Sequence, residues 1–287
     1  QDFRFDFIGK RSIAAVLSVV LIIASLGSLA TQRLNFGIDF AGGILMEVRS
    51  DQPIEVSAVR AQVGGLGLGD VSITTFGEEG RDLLIRIQKQ EGEDEAQAAA
   101  LTLVRETLGD AYEYRRTELV GPKVGQELIT DGALAVALAL LAICFYIWFR
   151  FEWQFAAGAT LALSHDVIAT IGLFSIFQME FNLTTVAAVL TIAGYSINDT
   201  VVAYDRVREM LRKYKKLALP DLVNLALNRV LSRTLLTSFT TLLAVTALSV
   251  FGGEVLRGFS IALMWGVVIG TYSSIYVAMP VLIYFDL

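Results

Sequence analysis

One cysteine, one histidine and a charged fraction of 18% are what this 287-residue chain has least of, and each shortage removes a class of function. Cys144 alone supports neither a disulfide framework nor a thiolate metal cluster. His165 alone excludes the zinc constellations that need two or three histidines, so no metal and no cofactor is expected. The low charge, set against 54% hydrophobic residues, excludes an ordinary soluble domain and points to an integral membrane protein.

Apolar runs of roughly 20 residues, long enough to cross about 30 Å of hydrocarbon, occur at 12–31, 128–149, 155–177, 183–204, 235–251 and 259–285. Six transmembrane helices are therefore expected. Lys10 and Arg11 before the first run, and the small residues Ser28 and Ala30 at its end, resemble a cleavable signal, but the apolar core is longer than the usual h-region and favours an uncleaved anchor. The last run is too long for one straight crossing, and Pro280 marks an expected kink or fraying end.

Loop charges set the orientation. Arg4, Lys10 and Arg11 precede the first span, Arg150 lies between the second and third, and Arg206, Arg208, Arg212, Lys213, Lys215, Lys216 and Arg229 lie between the fourth and fifth. Residues 178–182 carry no Lys or Arg, and residues 252–258 carry only Arg257. The positive-inside rule then places both termini in the cytoplasm and residues 32–125 outside. In the cytoplasmic connection at about 205–232, Leu222, Leu225, Ala226, Arg229 and Val230 follow helical spacing after Pro220, which predicts an amphipathic helix along the inner membrane surface. Its basic cluster reads as a topology determinant touching anionic lipid headgroups, or as a site for a dedicated partner.

The chain thus divides into 1–31, the cytoplasmic N-terminus and first span, an extracytoplasmic domain at 32–125, and spans two to six at 126–287. The outer segment reads strand 44–49, helix 54–63, strands 71–76 and 83–88, helix 94–108, strand 112–119. That order is βαββαβ, a small α+β domain of ferredoxin-like type. Acidic residues outnumber basic ones there by 16 to 10, so a nucleic-acid surface is not expected.

Asp199 is the residue most at odds with its surroundings, because a carboxylate about two turns inside a span is expensive and usually has both a task and a partner. Arg233 opens the next, antiparallel span at similar depth, and Ser196, Asn198, Thr200, Thr237 and Ser238 can complete a polar patch. Desolvation favours the neutral form of any carboxyl and a nearby guanidinium the charged form, so such a pair is suited to gaining and losing a proton. The alternative is that Arg233 snorkels at the boundary while Asp199 bonds to Asn198 or a neighbouring helix. His165 and Asp166 form a second polar spot near mid-membrane in the third span, either extending a hydrated path or holding a helix contact, with no partner apparent in the sequence. Gly266 and Gly270, at GxxxG spacing, permit close helix approach. Asp39, in a glycine-rich stretch after the first span, reads as a turn acid or as a relay between outer domain and membrane.

Four stretches, FGIDFAGG (36–43), VGPKVGQEL (120–128), GYSINDTVVAYDRVRE (194–209) and SRTLLTSFTTLLA (232–244), resemble the signature segments of the SecF family, the smaller half of the SecDF protein-translocation accessory complex. The resemblance spans nearly the whole chain in motif order. It implies a six-span unit of the resistance-nodulation-division superfamily in the bacterial cytoplasmic membrane. It further implies pairing with a SecD half, separate or fused, and work beside the Sec channel on a translocating preprotein under the proton motive force. It assigns the proton pathway to Asp199 and Arg233. Rival readings are a small-molecule or lipid exporter of the same superfamily, whose outer domains would be much larger, and a passive assembly subunit. An intramembrane aspartyl protease on Asp166 with Asp199 or Asp205 lacks its GxGD segment.

Overall fold

The computed structural model describes residues 5–77, 79–92 and 94–285, with the backbone alone at 94, 254 and 255; Arg4, among the charges before the first span, lies outside the described residues. The chain begins with helix α1 (Arg11–Thr31), the two-residue strand β1 (Asn35–Phe36) and the short helix α2 (Ile38–Ala41). Next come β2 (Gly43–Arg49), α3 (Val56–Gly64), β3 (Val71–Phe76), β4 (Asp82–Gln88), α4 (Asp94–Leu108) and β5 (Glu113–Val120). The long helices follow: α5 (Pro122–Arg150), α6 (Trp153–Ile176), then the short strand β6 (Glu180–Phe181), α7 (Leu183–Lys213), α8 (Leu219–Phe251) and α9 (Gly253–Ser273). A π-helical segment (Ser274–Ala278) leads into α10 (Met279–Val281). Contacts divide the chain into two units, Phe36–Leu134 and Gln1–Asn35 with Ala135–Leu287.

In the first of these units the strands form an antiparallel sheet of order β3-β4-β2-β5. Its register follows from the alternation of apolar residues. Ile44, Met46 and Val48 stand opposite Ile87, Ile85 and Leu83 across β2 and β4, and all six are fully buried. Val59 and Val63 of α3, and Ala100, Val104 and Leu108 of α4, complete the same core, so both helices cover one face of the sheet. The boundary at Phe36–Leu134, in place of the expected 32–125, reflects α5, which runs unbroken from Pro122 and whose Gly125 lies against the Phe40 carbonyl.

Glycine is obligatory where this unit begins. Gly42 ends α2 at φ +75, and Gly43 starts β2 at φ +125 with its Cα facing the Ile87 carbonyl, where a Cβ would stand 2.4 Å away. Asp39 therefore sits in the first turn of α2, where its charge complements the helix dipole.

Six helices among the described residues are long and apolar enough to cross a membrane, as expected. Within the second unit, α6, α7 and the C-terminal span are the most buried, while α1, α5 and α8 expose much of their apolar surface. Local chemistry sets the ends: Asn182 accepts from the Thr185 amide at 3.0 Å in a capping box that starts α7, and Pro220 with Asp221 occupies the first turn of α8.

The connection expected at about 205–232 takes a different form. α7 continues to Lys213 and α8 starts at Leu219, leaving only residues 214–218 between them. Nothing after Pro220 interrupts the helix, so the predicted amphipathic segment is the first part of α8. Its apolar face packs into protein instead of lying on the membrane: Leu222, Val223, Ala226 and Leu227 join Phe7, Ile8, Tyr204 and Met210 in the core, and Arg229 stays exposed.

The irregularity at Pro280 is present. Proline cannot donate to the carbonyl one turn earlier, and the helix widens to π form over Ser274–Ala278 before the proline. The buried Tyr204 hydroxyl donates to the Ala278 carbonyl at 3.1 Å, so this segment is tied to α7.

Gly43→Ala is expected to destabilise the Phe36–Leu134 unit by about 1–3 kcal/mol, because it adds a Cβ against backbone in a left-handed conformation. Thermal unfolding of the purified chain, followed by proteolysis at residues 43–89, measures the loss.

Candidate functional site

The polar residues of the spans fall into two groups on either side of α7. The turn angle of about 100° per residue sorts them. Ser196 and Thr200, one turn apart, face α6 and the C-terminal span, whereas Asp199 turns toward α8.

Asp166 is fully buried and fully engaged. Its Oδ1 meets His165 Nδ1 at 3.0 Å, and its Oδ2 accepts from the hydroxyls of Ser196 and Ser273, the latter at 2.6 Å. Ser274 continues the cluster, with its Oγ 2.9 Å from Thr200 Oγ1. The His165 ring lies 6.0 Å from that of Tyr272, whose hydroxyl donates to the Ala14 carbonyl at 2.7 Å.

Gly266 and Gly270 make this geometry attainable. A Cβ on Gly266 would stand 2.2 Å from Ile192, and one on Gly270 3.1 Å from Ser196, so α9 can approach α7 only because both lack one. The approach carries Ser273 and Ser274 to Asp166 and Thr200. These two serines were missed in the sequence; their signal is a polar TYSS run (271–274) one residue beyond the glycine pair.

Asp199 contrasts with Asp166 in every respect but burial. It is 5% exposed, and its Oδ2 has no hydrogen-bond partner among the described residues. It borders a small cavity of about 10 Å³, the volume one water occupies, with Phe7, Ala203, Thr234 and Ser274. Arg233 is near enough for its charge to act on Asp199, yet the two form no ion pair. The guanidinium-bearing residue is exposed, as is Asn198.

Of the residues grouped with Asp199 in the sequence reading, Ser196 instead bonds to Asp166, and Thr237 bonds back to the Arg233 carbonyl at 3.1 Å. Ser238 takes a bond from the Tyr195 hydroxyl at 3.2 Å and lies 2.7 Å from Thr271 Oγ1. His165 and Asp166, which had no apparent partner in the sequence, have several. Among the described residues no group of three or more His, Cys, Asp or Glu side chains is placed to hold a metal.

Comparison with known proteins bears on the whole chain. Residues 100–287 match the family described as protein export membrane protein SecD/SecF, C-terminal, and residues 27–54 match the SecD/SecF GG motif, which contains Gly42 and Gly43. A protein translocase subunit SecF of Rickettsia rickettsii (strain Sheila Smith) is 46% identical over 285 residues, covering 98% of this chain and 92% of that one. One from Cereibacter sphaeroides is 48% identical over 292 residues, covering 99% and 90%. The crystal structure of SecDF, a translocon-associated membrane protein from Thermus thermophilus, is similar with a TM-score of 0.86 and 35% identity over 99% of this chain. The chain spans 39% of the length of that SecDF chain. SecDF in its super-membrane-facing form matches over the same shares with a TM-score of 0.72.

Asp166→Leu is expected to leave the Ser196 hydroxyl and His165 Nδ1 without their acceptor, at about 1–3 kcal/mol for each stranded group, while Ser273 keeps its bond to the Gly270 carbonyl at 3.1 Å. Asp166→Asn keeps one acceptor oxygen and should lose less. The midpoint of thermal unfolding in detergent ranks the two variants below the unmodified chain in that order.

Proposed function

Because the chain belongs to the SecD/SecF family of protein-export membrane proteins, we propose that it uses the proton motive force, together with a SecD-type partner, to promote late steps of preprotein export. Its relatives make it an accessory subunit of Sec translocation and a multi-pass protein of the inner membrane. The names of those relatives do not favour the exporter reading.

The observation that carries the proton-driven reading is the contrast between the two buried acids. A structural carboxylate in a span is expected to be saturated with donors, as Asp166 is. Asp199 is equally sunk in protein without a hydrogen-bond partner for its Oδ2, beside a cavity of one water's volume and within the field of Arg233. Such a group is free to take up and release a proton. Ionised, it attracts the Arg233 guanidinium; protonated, it does not, and α7 and α8 can repack. One charge crossing 100 mV releases about 2.3 kcal/mol, enough to shift a two-state equilibrium more than tenfold. Asp199 and Arg233 are thus the proton-pathway residues in this reading, with Asn198 and Thr237 beside them.

Arg233 and Asn198 are exposed on the α7 and α8 surface, an arrangement that hydrocarbon disfavours. A homologous six-span SecD half covering that surface satisfies them and encloses the proton path. Both termini lie in the cytoplasm, in keeping with the loop charges. The Phe36–Leu134 unit then lies outside the membrane, and its βαββαβ order and β3-β4-β2-β5 sheet support a ferredoxin-like domain. Its movement, coupled to the repacking helices, acts on the preprotein leaving the Sec channel.

Asp199→Asn and Arg233→Ala in the complex with the SecD-type partner are each expected to lower proton-dependent preprotein translocation into vesicles at least about tenfold, with assembly intact. Proton flux in liposomes containing the same complexes should fall in parallel. Full translocation by both variants with undiminished flux would leave the chain a passive assembly subunit.

A further inference from the structure

Along the edge of the His165 ring away from Asp166, α1, α6 and the segment 276–284 line an elongated, partly open groove of about 620 Å³. Its walls are chiefly hydrocarbon, with Val19, Ile22, Ile23, Leu161, Ile168 and Val277 along its length. Two polar groups on it lack partners. Arg11, half-buried at the start of α1, forms no ion pair with any described residue. His165 is 6% exposed, and its Nε2 has no hydrogen-bond partner among the described residues.

The shape limits what can lie there. The groove follows α1 from Arg11 to Ile23, roughly 18 Å of helix, with apolar side chains on both walls. A hydrocarbon chain fits, and in a bilayer an apolar groove of this kind is filled by chains rather than by water. The cationic end fixes the other half of the ligand. Arg11, with Lys10 beside it, offers a planar fork of donors suited to a phosphate, and no carboxylate of a described residue forms an ion pair with it.

We propose that this groove binds one anionic glycerophospholipid from the leaflet at the Arg11 end. Its phosphate sits on Arg11, and one acyl chain runs past His165 along Val19 and Ile22 toward Ile23. The lipid thereby packs α1 against α6 and the irregular C-terminal segment. The groove shares no lining residue with the cavity at Asp199 and stands whether or not that residue carries protons.

The full chain in complex with its SecD-type partner, extracted from nanodiscs of mixed phosphatidylglycerol and phosphatidylcholine, tests this by native mass spectrometry. One retained phosphatidylglycerol is expected, preferred over phosphatidylcholine about fivefold, the order of a single basic contact. Arg11→Gln should bring that preference close to parity, while Lys216→Gln, on the exposed connection between α7 and α8, should leave it unchanged. Ile22→Trp, which fills the groove, should reduce retention of both lipids. Undiminished preference in Arg11→Gln, or equal retention in Ile22→Trp, overturns the proposal. A photoreactive side chain introduced at position 22, which does not require the bulky variant to fold, should yield a lipid adduct; an adduct to a partner helix instead overturns it.

Discussion

At mid-membrane there is no water to satisfy a stray polar atom, so every buried donor and acceptor must find its partner on another helix or carry a cost of kcal/mol size. In this bundle the requirement is met at Asp166 by side chains from α6, α7 and the C-terminal span. Three elements converge on one carboxylate. Each helix is then held in rotation and depth by a bond that cannot be exchanged for one to solvent. The convergence depends in turn on two missing methyl groups, at Gly266 and Gly270, because any side chain there would hold α9 away from Ile192 and Ser196.

The same requirement makes Asp199 informative. Where Asp166 is locked by its donors, Asp199 faces α8 with an unmatched oxygen and a cation nearby that does not touch it. A carboxylate saturated with donors restrains the helices that supply them, and an unpartnered oxygen adds no such restraint. The saturated cluster and the unpartnered acid share helix α7, with Ser196 and Asp199 less than one turn apart.

Departures from regular helix are placed where they serve packing. The π segment before Pro280 ends at Ala278, whose carbonyl accepts from Tyr204, and Tyr204 itself fills the space that Gly158 leaves open, where a Cβ would stand 2.4 Å from the phenol oxygen. Arg150 and Asp205, 3.3 Å apart, and the aromatic pair Phe155 and Tyr204, 5.0 Å between ring centres, close the same end of the bundle. These contacts bind the end of α7 into the core, which is why α7 extends as a helix to Lys213.

The linear order of residues was enough to determine the six spans, the strand and helix order of the Phe36–Leu134 sheet and its two covering helices, and the presence of an acid, Asp199, within a span. Those features rest on local periodicity and on the cost of placing charge in hydrocarbon, both of which are properties of the chain alone. Which serine serves which acid was decided only in three dimensions. Ser196 lies three residues from Asp199 in sequence but bonds to Asp166, thirty residues away, because the helical turn points it at α6 and the glycines of α9 bring a second serine to the same oxygen. The fate of residues 219–231 was likewise tertiary: an amphipathic pattern reads alike for a membrane surface and a protein core, and burial against Phe7, Tyr204 and Met210 selected the core.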